Sequence, residues 1–157
     1  MDLLTLLNEN ARLTNAQLAV MLGKTEAEVE KEIEDYQQKG IIKGYKALIN
    51  WEKADPHKTT ALIELKVQPK KESGFDEIAK KIMQFSKVES VYLMSGGFDL
   101  AVMVHGDSIQ DIAMFVAKRL SPLDSVLSTA THFILTRYKE GDVILTSQKE
   151  EDRRNLL

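Results

Sequence analysis

Cysteine is absent from the sequence, which excludes a disulfide scaffold and thiolate metal sites and says little about compartment. Long apolar runs are absent too, and no uncharged stretch approaches the roughly 18 residues of a membrane span. The start, Met-Asp-Leu-Leu-Thr-Leu-Leu-Asn-Glu, places an acid where a signal peptide needs positive charge and turns polar quickly. The expectation is a cytoplasmic protein without a membrane partner. Positive charge is not in excess: the formal net charge is −3, so no global basic field draws nucleic acid and any such contact must come from a local patch. The three histidines, His57, His105 and His132, stand far apart with no metal-ligand spacing, so ordinary hydrogen-bonded histidines are expected and no metal. Gly96-Gly97 is not followed by the Lys-Ser/Thr of a phosphate loop. No nucleophile stands with a base and an orienting group, so neither catalytic residues nor a cofactor are expected.

What is present is a pair of Thr-led capping signatures. Thr14-Asn15-Ala16-Gln17 opens one helix, Gly23 ends it, and Thr25-Glu26-Ala27-Glu28 opens the next. In such a box the Thr oxygen satisfies an orphan amide at the third helical position, whose Gln or Glu reaches back to the cap. Ala16, Leu18, Ala19 and Leu22 supply the apolar face of the first helix, and Val29, Ile33 and Tyr36 that of the second. Two short helices joined by a Gly-containing turn read as a helix-turn-helix, a DNA-reading device when its second helix is exposed and basic. Here that helix is acidic, with six acids against two lysines in residues 25–39.

The chain is long enough, at 157 residues, for one ordinary domain or two small ones. Residues 1–46 read as helical, with an extended end at Gly40-Ile41-Ile42-Lys43-Gly44-Tyr45, and residues 47–58 as a linker. From residue 59 the periodicity changes. Ala61, Ile63, Leu65 and Val67 alternate as a strand; Phe75, Ile78, Ala79, Ile82 and Met83 recur at helical spacing after Ser73-Gly74. Val88–Met94 and Phe98–Val104 read as strands joined by Ser95-Gly96-Gly97. Ser108 caps a helix with Ile109, Ile112, Ala113, Val116, Ala117 and Leu120 on one face, ended near Pro122, and Val126–Tyr138 is the last long strand. The order β-α-β-β-α-β is the ferredoxin-like split βαβ unit. The fold class is therefore α+β: an N-terminal helix-turn-helix, winged-helix-like, joined to a ferredoxin-like domain over residues 59–146, with a polar tail at 147–157. A sheet with helices on one face leaves the other bare, which predicts a dimer or larger assembly.

With these parts in order the chain resembles the leucine-responsive and asparagine-operon regulators, the Lrp/AsnC family. Arg12-Leu13-Thr14-Asn15-Ala16-Gln17-Leu18-Ala19 is similar to that family's approach to its second helix, and Gly40-Ile41-Ile42-Lys43-Gly44-Tyr45 to its exit from the recognition helix. Ser95-Gly96-Gly97-Phe98-Asp99 is similar to its Gly-x-x-Asp loop. The resemblance covers nearly the whole chain. It implies a homodimer built through the sheet domains, often assembled further into octamers, with amino-acid effectors bound between subunits near that loop. Two features depart from the pattern: the chain opens almost inside its first helix, and Glu30, Glu32, Glu34 and Asp35 stand where family members commonly carry Arg and Lys.

A step of about 100° per residue places Ala27, Lys31 and Gln38 opposite the inward Val29, Ile33 and Tyr36. The candidate DNA-binding residues are Arg12, Thr14, Lys24, Thr25, Ala27, Glu28, Lys31, Lys43 and Lys46, with Thr14, Thr25 and Glu28 in the caps and Lys24 on the approach to the same edge; Glu30, Glu34 and Asp35 stand close enough to repel phosphates. Arg12, Lys43 and Lys46 are the cations available for backbone contacts. Residues 1–50 carry six basic side chains against eight acids, so binding to double-stranded DNA is expected to be weak and salt-sensitive. The alternative is an amino-acid-sensing oligomeric module whose degenerate helix-turn-helix no longer binds DNA and works through a protein partner.

For the effector, Gly96 and Gly97 would let the backbone turn with positive φ and bring bare amides to a ligand carboxylate, while Asp99, after Phe98, would take the ammonium. The same residues also read as a hairpin with a turn-stabilising Asp. Thr129 and Thr131 share a strand face with Leu127, Phe133 and Leu135 and could complete a small pocket lined by Tyr92 and Met94, or serve as β-formers on a half-buried sheet. A small-molecule enzyme on this scaffold is a third reading, which turnover lost on Asp99→Ala would support.

Overall fold

The computed structural model describes residues 2–68 and 74–146. Ser73 and the polar tail at 147–157 lie outside the described residues. Two compact units divide between Ala47 and Leu48.

The first unit is three helices: α1 (Leu3–Glu9), α2 (Asn15–Leu22) and α3 (Glu26–Gln38). Asp2 caps α1 by accepting from the Thr5 amide at 2.8 Å. The core gathers Leu3, Leu6 and Leu7 from α1, Leu18 and Ala19 from α2, and Val29 from α3, with Leu13, Leu22, Ile33, Tyr36 and Ile42 packed around them. Burying each large aliphatic side chain contributes about 1.5–3 kcal/mol, and this shared core is what makes helices of seven and eight residues stable, since neither length folds alone in water. Ala16 is not part of it. It lies on the exposed side of α2 with Val20 and Met21, which are 83% and 56% exposed. Gly23 ends α2 in the left-handed region, at φ 65°, which only glycine enters without strain. After Gly40 the chain runs without a strand through Asn50.

In the second unit a one-turn helix, α4 (Trp51–Ala54), forms inside the expected linker because the Asn50 side chain accepts from the Lys53 amide. There follow β1 (Thr59–Val67), α5 (Gly74–Ile82), β2 (Val88–Leu93), β3 (Leu100–Gly106), α6 (Ile109–Phe115) and β4 (Val126–Phe133). The sheet order is β2-β3-β1-β4 with every neighbouring pair antiparallel, the ferredoxin-like arrangement. Ala61, Ile63, Leu65 and Val67 of β1 and Leu100, Val102 and Val104 of β3 face Ile78, Ile82, Ile112 and Phe115 of the two helices. Leu62, Ala101 and Met103, of opposite parity, point to the sheet's other face.

Several boundaries differ from the sequence expectation. β3 begins at Leu100, so Phe98 and Asp99 belong to the loop. β4 ends at Phe133; Lys139–Glu140 (β5) and Val143–Ile144 (β6) make a separate hairpin turned by Gly141 and Asp142, both at positive φ. The register shifts between Lys66 and Val67, where Val126 takes the partner position and Leu127 is displaced, 64% exposed. Leu135 is 90% exposed beyond the strand, so neither leucine shares a packed face with Thr129 and Thr131. Past Phe115 the second helix widens into a π turn, Val116–Leu120. Its buried residues are Ile112, Phe115, Val116 and Leu120, while Ile109, Ala113 and Ala117 are exposed.

Candidate nucleic-acid interface and effector loop

Both capping boxes form. The Thr14 hydroxyl accepts from the Gln17 amide at 3.2 Å, and Gln17 returns Oε1 to the Thr14 amide at 2.9 Å. The Thr25 hydroxyl accepts from the Glu28 amide at 3.3 Å, and Glu28 Oε2 takes the Thr25 amide and hydroxyl, each at 2.8 Å. Thr14, Thr25 and Glu28 are thereby committed to starting helices. The Thr25 amide and hydroxyl hold the Glu28 carboxyl below its ordinary pKa.

With α3 started there, Val29 is buried and Ile33 and Tyr36 half-buried, which leaves Ala27, Lys31 and Gln38 exposed on the outer side. The acids divide between the two flanks. On one, Glu28 is in the cap, Glu32 receives Lys24 at 2.5 Å and the Tyr36 hydroxyl at 3.2 Å, and Asp35 pairs with Lys39 at 2.6 Å. Asp35 is thus neutralised, contrary to the expected repulsion, and Lys24 is occupied rather than free for phosphate. On the other flank Glu26, Glu30 and Glu34 pair with no cation among the described residues. Glu26 sits in the first turn, where the helix dipole favours a negative charge; Glu30 and Glu34, at i and i+4, repel each other. Arg12, Lys31, Lys43 and Lys46 are exposed and pair with no acid among the described residues. The Lys39–Asp35 contact was legible as an i,i+4 spacing; the Lys24–Glu32 contact, across a turn and a cap, was not.

The effector residues are less convergent. Gly96 and Gly97 do not take positive φ; the positive-φ glycines among the described residues are Gly23, Gly40, Gly44, Gly74 and Gly141. Gly96 and Gly97 do leave space, because a Cβ at either would meet nothing within 4 Å, as is also true of Gly23, Gly44 and Gly74. Their backbone is therefore bare to an incoming group. Asp99 closes the loop: its Oδ2 accepts from the Val67 amide at 2.8 Å, its own amide donates to the Leu65 carbonyl, and its carbonyl accepts from Met94. The carboxylate thus covers the amide exposed where the β1–β4 register shifts, the turn-stabilising role. Tyr92 pairs with Ala101 on the open face of the sheet, whereas Thr129 and Thr131 pair with Leu65 and Ile63 on the helix-covered face. They also lie on opposite edge strands, three strand spacings or about 14 Å apart. One chain does not bring them into a single pocket.

Two of the histidines, His105 and His132, lie on the open face with acid neighbours. His132 Nε2 is 3.3 Å from Glu64. His105 Nδ1 lies 3.4 Å from Glu89 without the alignment of a hydrogen bond. Among the described residues no three His, Asp or Glu side chains converge as a metal site, and no helix is long and apolar enough to cross a membrane.

A capped helix pair that presents an exposed second helix, followed by a ferredoxin-like sheet with a bare loop, defines a helix-turn-helix regulator with a separate sensory-type domain. The Lrp/AsnC ligand binding domain matches residues 60–144. The chain is 46% identical to the uncharacterized HTH-type transcriptional regulator YugG of Bacillus subtilis, over 98% of this chain and 92% of that one. It belongs to the Lrp/AsnC family of HTH-type transcriptional regulators. Solved structures of similar fold include AsnC of E. coli, at 21% identity and TM-score 0.69 over 87% of this chain and 90% of that one. A feast or famine regulatory protein of M. tuberculosis complexed with L-methionine aligns at 22% identity and TM-score 0.73, covering 91% and 94%.

Proposed function

We propose that this regulator binds double-stranded DNA as a homodimer through the outer side of α3, and that an amino acid bound at the loop of residues 94–99 sets that binding. The observation that carries the DNA reading is the fixing of α3 by a complete cap and a buried Val29, with Lys31 outward and unpaired among the described residues. Arg12, Lys43 and Lys46 supply backbone contacts, which position the helix without reading sequence. Tyr92 and Leu62 on the open sheet face offer the dimer surface. Because Tyr92 and Thr129 are separated within one chain, a ligand that touches both types of residue lies between subunits. Gly96 and Gly97 receive its carboxylate, with Met94 and Phe98 alongside, and Asp99 offers its second oxygen to the ammonium. The L-methionine complex of a structural relative supports an amino acid as the ligand class.

The test is fluorescence anisotropy of the full chain on DNA from its own upstream region and on scrambled DNA, across salt and with L-methionine or L-leucine added. Specific retention that weakens with salt, and shifts with one of the amino acids, is expected. A folded dimer that fails to retain either DNA at low salt would overturn the reading and leave the sensing module without DNA binding.

A further inference from the structure

A groove of about 460 Å³ lies on the helix-covered side of the second unit, between the residues that follow α5 and the outer side of α6. It is distant in character from the glycine loop, because aromatic rings and cations build it. Phe85 and Phe115 meet edge to face, with ring centroids 5.4 Å apart, and Met114 is 48% exposed beside them. The Arg119 guanidinium stands 4.9 Å from the centre of the Phe85 ring, a stacked position that fixes its donors.

Arg119 stands four residues after Phe115, which sets the two on one side of the helix. On a regular helix Leu120, eight residues after Ile112, would point about 80° away from it. Widening Val116–Leu120, closed by the Ser121 amide on the Val116 carbonyl at 2.8 Å, brings Leu120 fully into the core. The preceding Lys118 and Arg119 then stand at the groove beside Phe115. π turns inside helices are frequent at functional sites.

The charges of the groove are unequal in availability. Lys118 and Arg119 pair with no acid among the described residues. The one carboxylate, Asp111, is taken by Lys87 and by the Asp107 amide at 3.1 Å, contacts that hold it below its ordinary pKa. A ligand carboxylate therefore finds free cations, while a ligand ammonium finds no free acid.

We propose that this groove binds a small carboxylate with an aryl or similarly apolar body and no ammonium group. The rings and Met114 take the apolar body, and Arg119 with Lys118 takes the carboxylate. The site discriminates against amino acids, in contrast to the glycine loop, and its occupancy does not depend on how that loop is used.

Phenylalanine and 3-phenylpropanoate differ only by the ammonium, so they isolate the claim. The full chain is labelled with ¹³C at methionine methyls, Met114 is assigned by Met114→Leu, and each compound is titrated. The expected result is a saturable shift of the Met114 methyl with 3-phenylpropanoate, at least about tenfold weaker with phenylalanine and with Arg119→Gln. Lys118→Gln weakens it less, and Met94, at the glycine loop, serves as the internal control. An unmoved Met114 methyl, equal affinity for the two compounds, or full binding by an Arg119→Gln/Lys118→Gln chain of unchanged methyl spectrum would each overturn the proposal.

Discussion

The two helices of the turn begin with the same device and differ in almost everything after it. α2, Asn-Ala-Gln-Leu-Ala-Val-Met-Leu, has no charged residue, and α3 carries six acids in thirteen residues. Each has a Thr at the cap, and the third helical residue returns an oxygen to the cap amide. The cap decides where a helix starts; the rest of its sequence decides what it can touch. α2 buries Leu18 and Ala19 and serves as packing. α3 buries only Val29 deeply and keeps most of its surface for other uses. Its charge is less hostile to DNA than its composition, because Glu28, Glu32 and Asp35 are occupied on one flank. The repulsion that remains comes from Glu30 and Glu34 on the other.

The largest expected effect tests whether the outer side of α3 reads DNA at all. Lys31→Glu removes the unpaired outward cation and adds an acid, and should weaken promoter DNA by about 3 kcal/mol, roughly a hundredfold. Sedimentation should show an unchanged assembly. Unchanged affinity would remove α3 from the interface. A smaller effect separates the flanks. Glu30→Gln with Glu34→Gln should tighten DNA roughly fivefold at low salt, with the gain shrinking as salt screens it. It should not lower the melting temperature, because no partner is lost and an i,i+4 repulsion is relieved. Glu32→Gln, by contrast, removes the charge that pairs with Lys24 and leaves one acceptor oxygen for the two donors Lys24 and Tyr36, and should lower it. Equal thermal behaviour of the two variants would show that the flanks do not differ.

Much of this was legible in the sequence, for reasons that particular residues make plain. The Thr-x-x-Gln and Thr-x-x-Glu spacings are local chemistry, so both boxes could be read directly. The alternation Ala61, Ile63, Leu65, Val67 announces a strand with one buried face, and the strand order follows from the βαββαβ pattern. What could not be read depends on partners distant along the chain. Asp99 leaves the strand because it caps Val67, 32 residues earlier. Leu127 leaves the packed face because the register of β4 shifts against β1, about 60 residues earlier in the chain. The π turn exists because Leu120 must reach the core, a tertiary demand with no local signature. At Gly96 and Gly97 the glycines leave room without a positive φ, and a sequence does not distinguish the two. The Gly141-Asp142 hairpin, however, had a readable signal in its dipeptide.

Breaking each cap tests the comparison at a finer scale. Thr14→Ala and Thr25→Ala should each cost about 1 kcal/mol, read from hydrogen-exchange protection of the α2 and α3 amides in the full chain. Only Thr25→Ala should also weaken DNA, because it frays the first turn of the exposed helix. A DNA defect of equal size in Thr14→Ala would mean that α2 contributes as much to the interface.

The smallest effect follows from the one chemical difference between the boxes. Gln17 does not titrate, whereas Glu28 does, and its folded pKa is held below the ordinary 4.5 by the Thr25 amide and hydroxyl. A carboxyl with a depressed folded pKa stabilises the fold only while ionised. The Glu28 contribution is therefore complete above that ordinary value and disappears as pH falls through the lowered one. The first turn of α3 should loosen in mild acid while that of α2 does not. The Asp2 carboxyl, which caps α1 through Thr5, is also held below its ordinary pKa, so a global melting curve would mix the two caps. Protection of amides 26–29 against 15–18, corrected for intrinsic exchange and followed from about pH 6 to about pH 3, isolates the difference. Glu28→Gln should give α3 the acid tolerance of α2, and Gln17→Glu should give α2 the sensitivity of α3. If the reciprocal pair leaves both profiles unchanged, the box carboxylate is not what distinguishes the two helix starts.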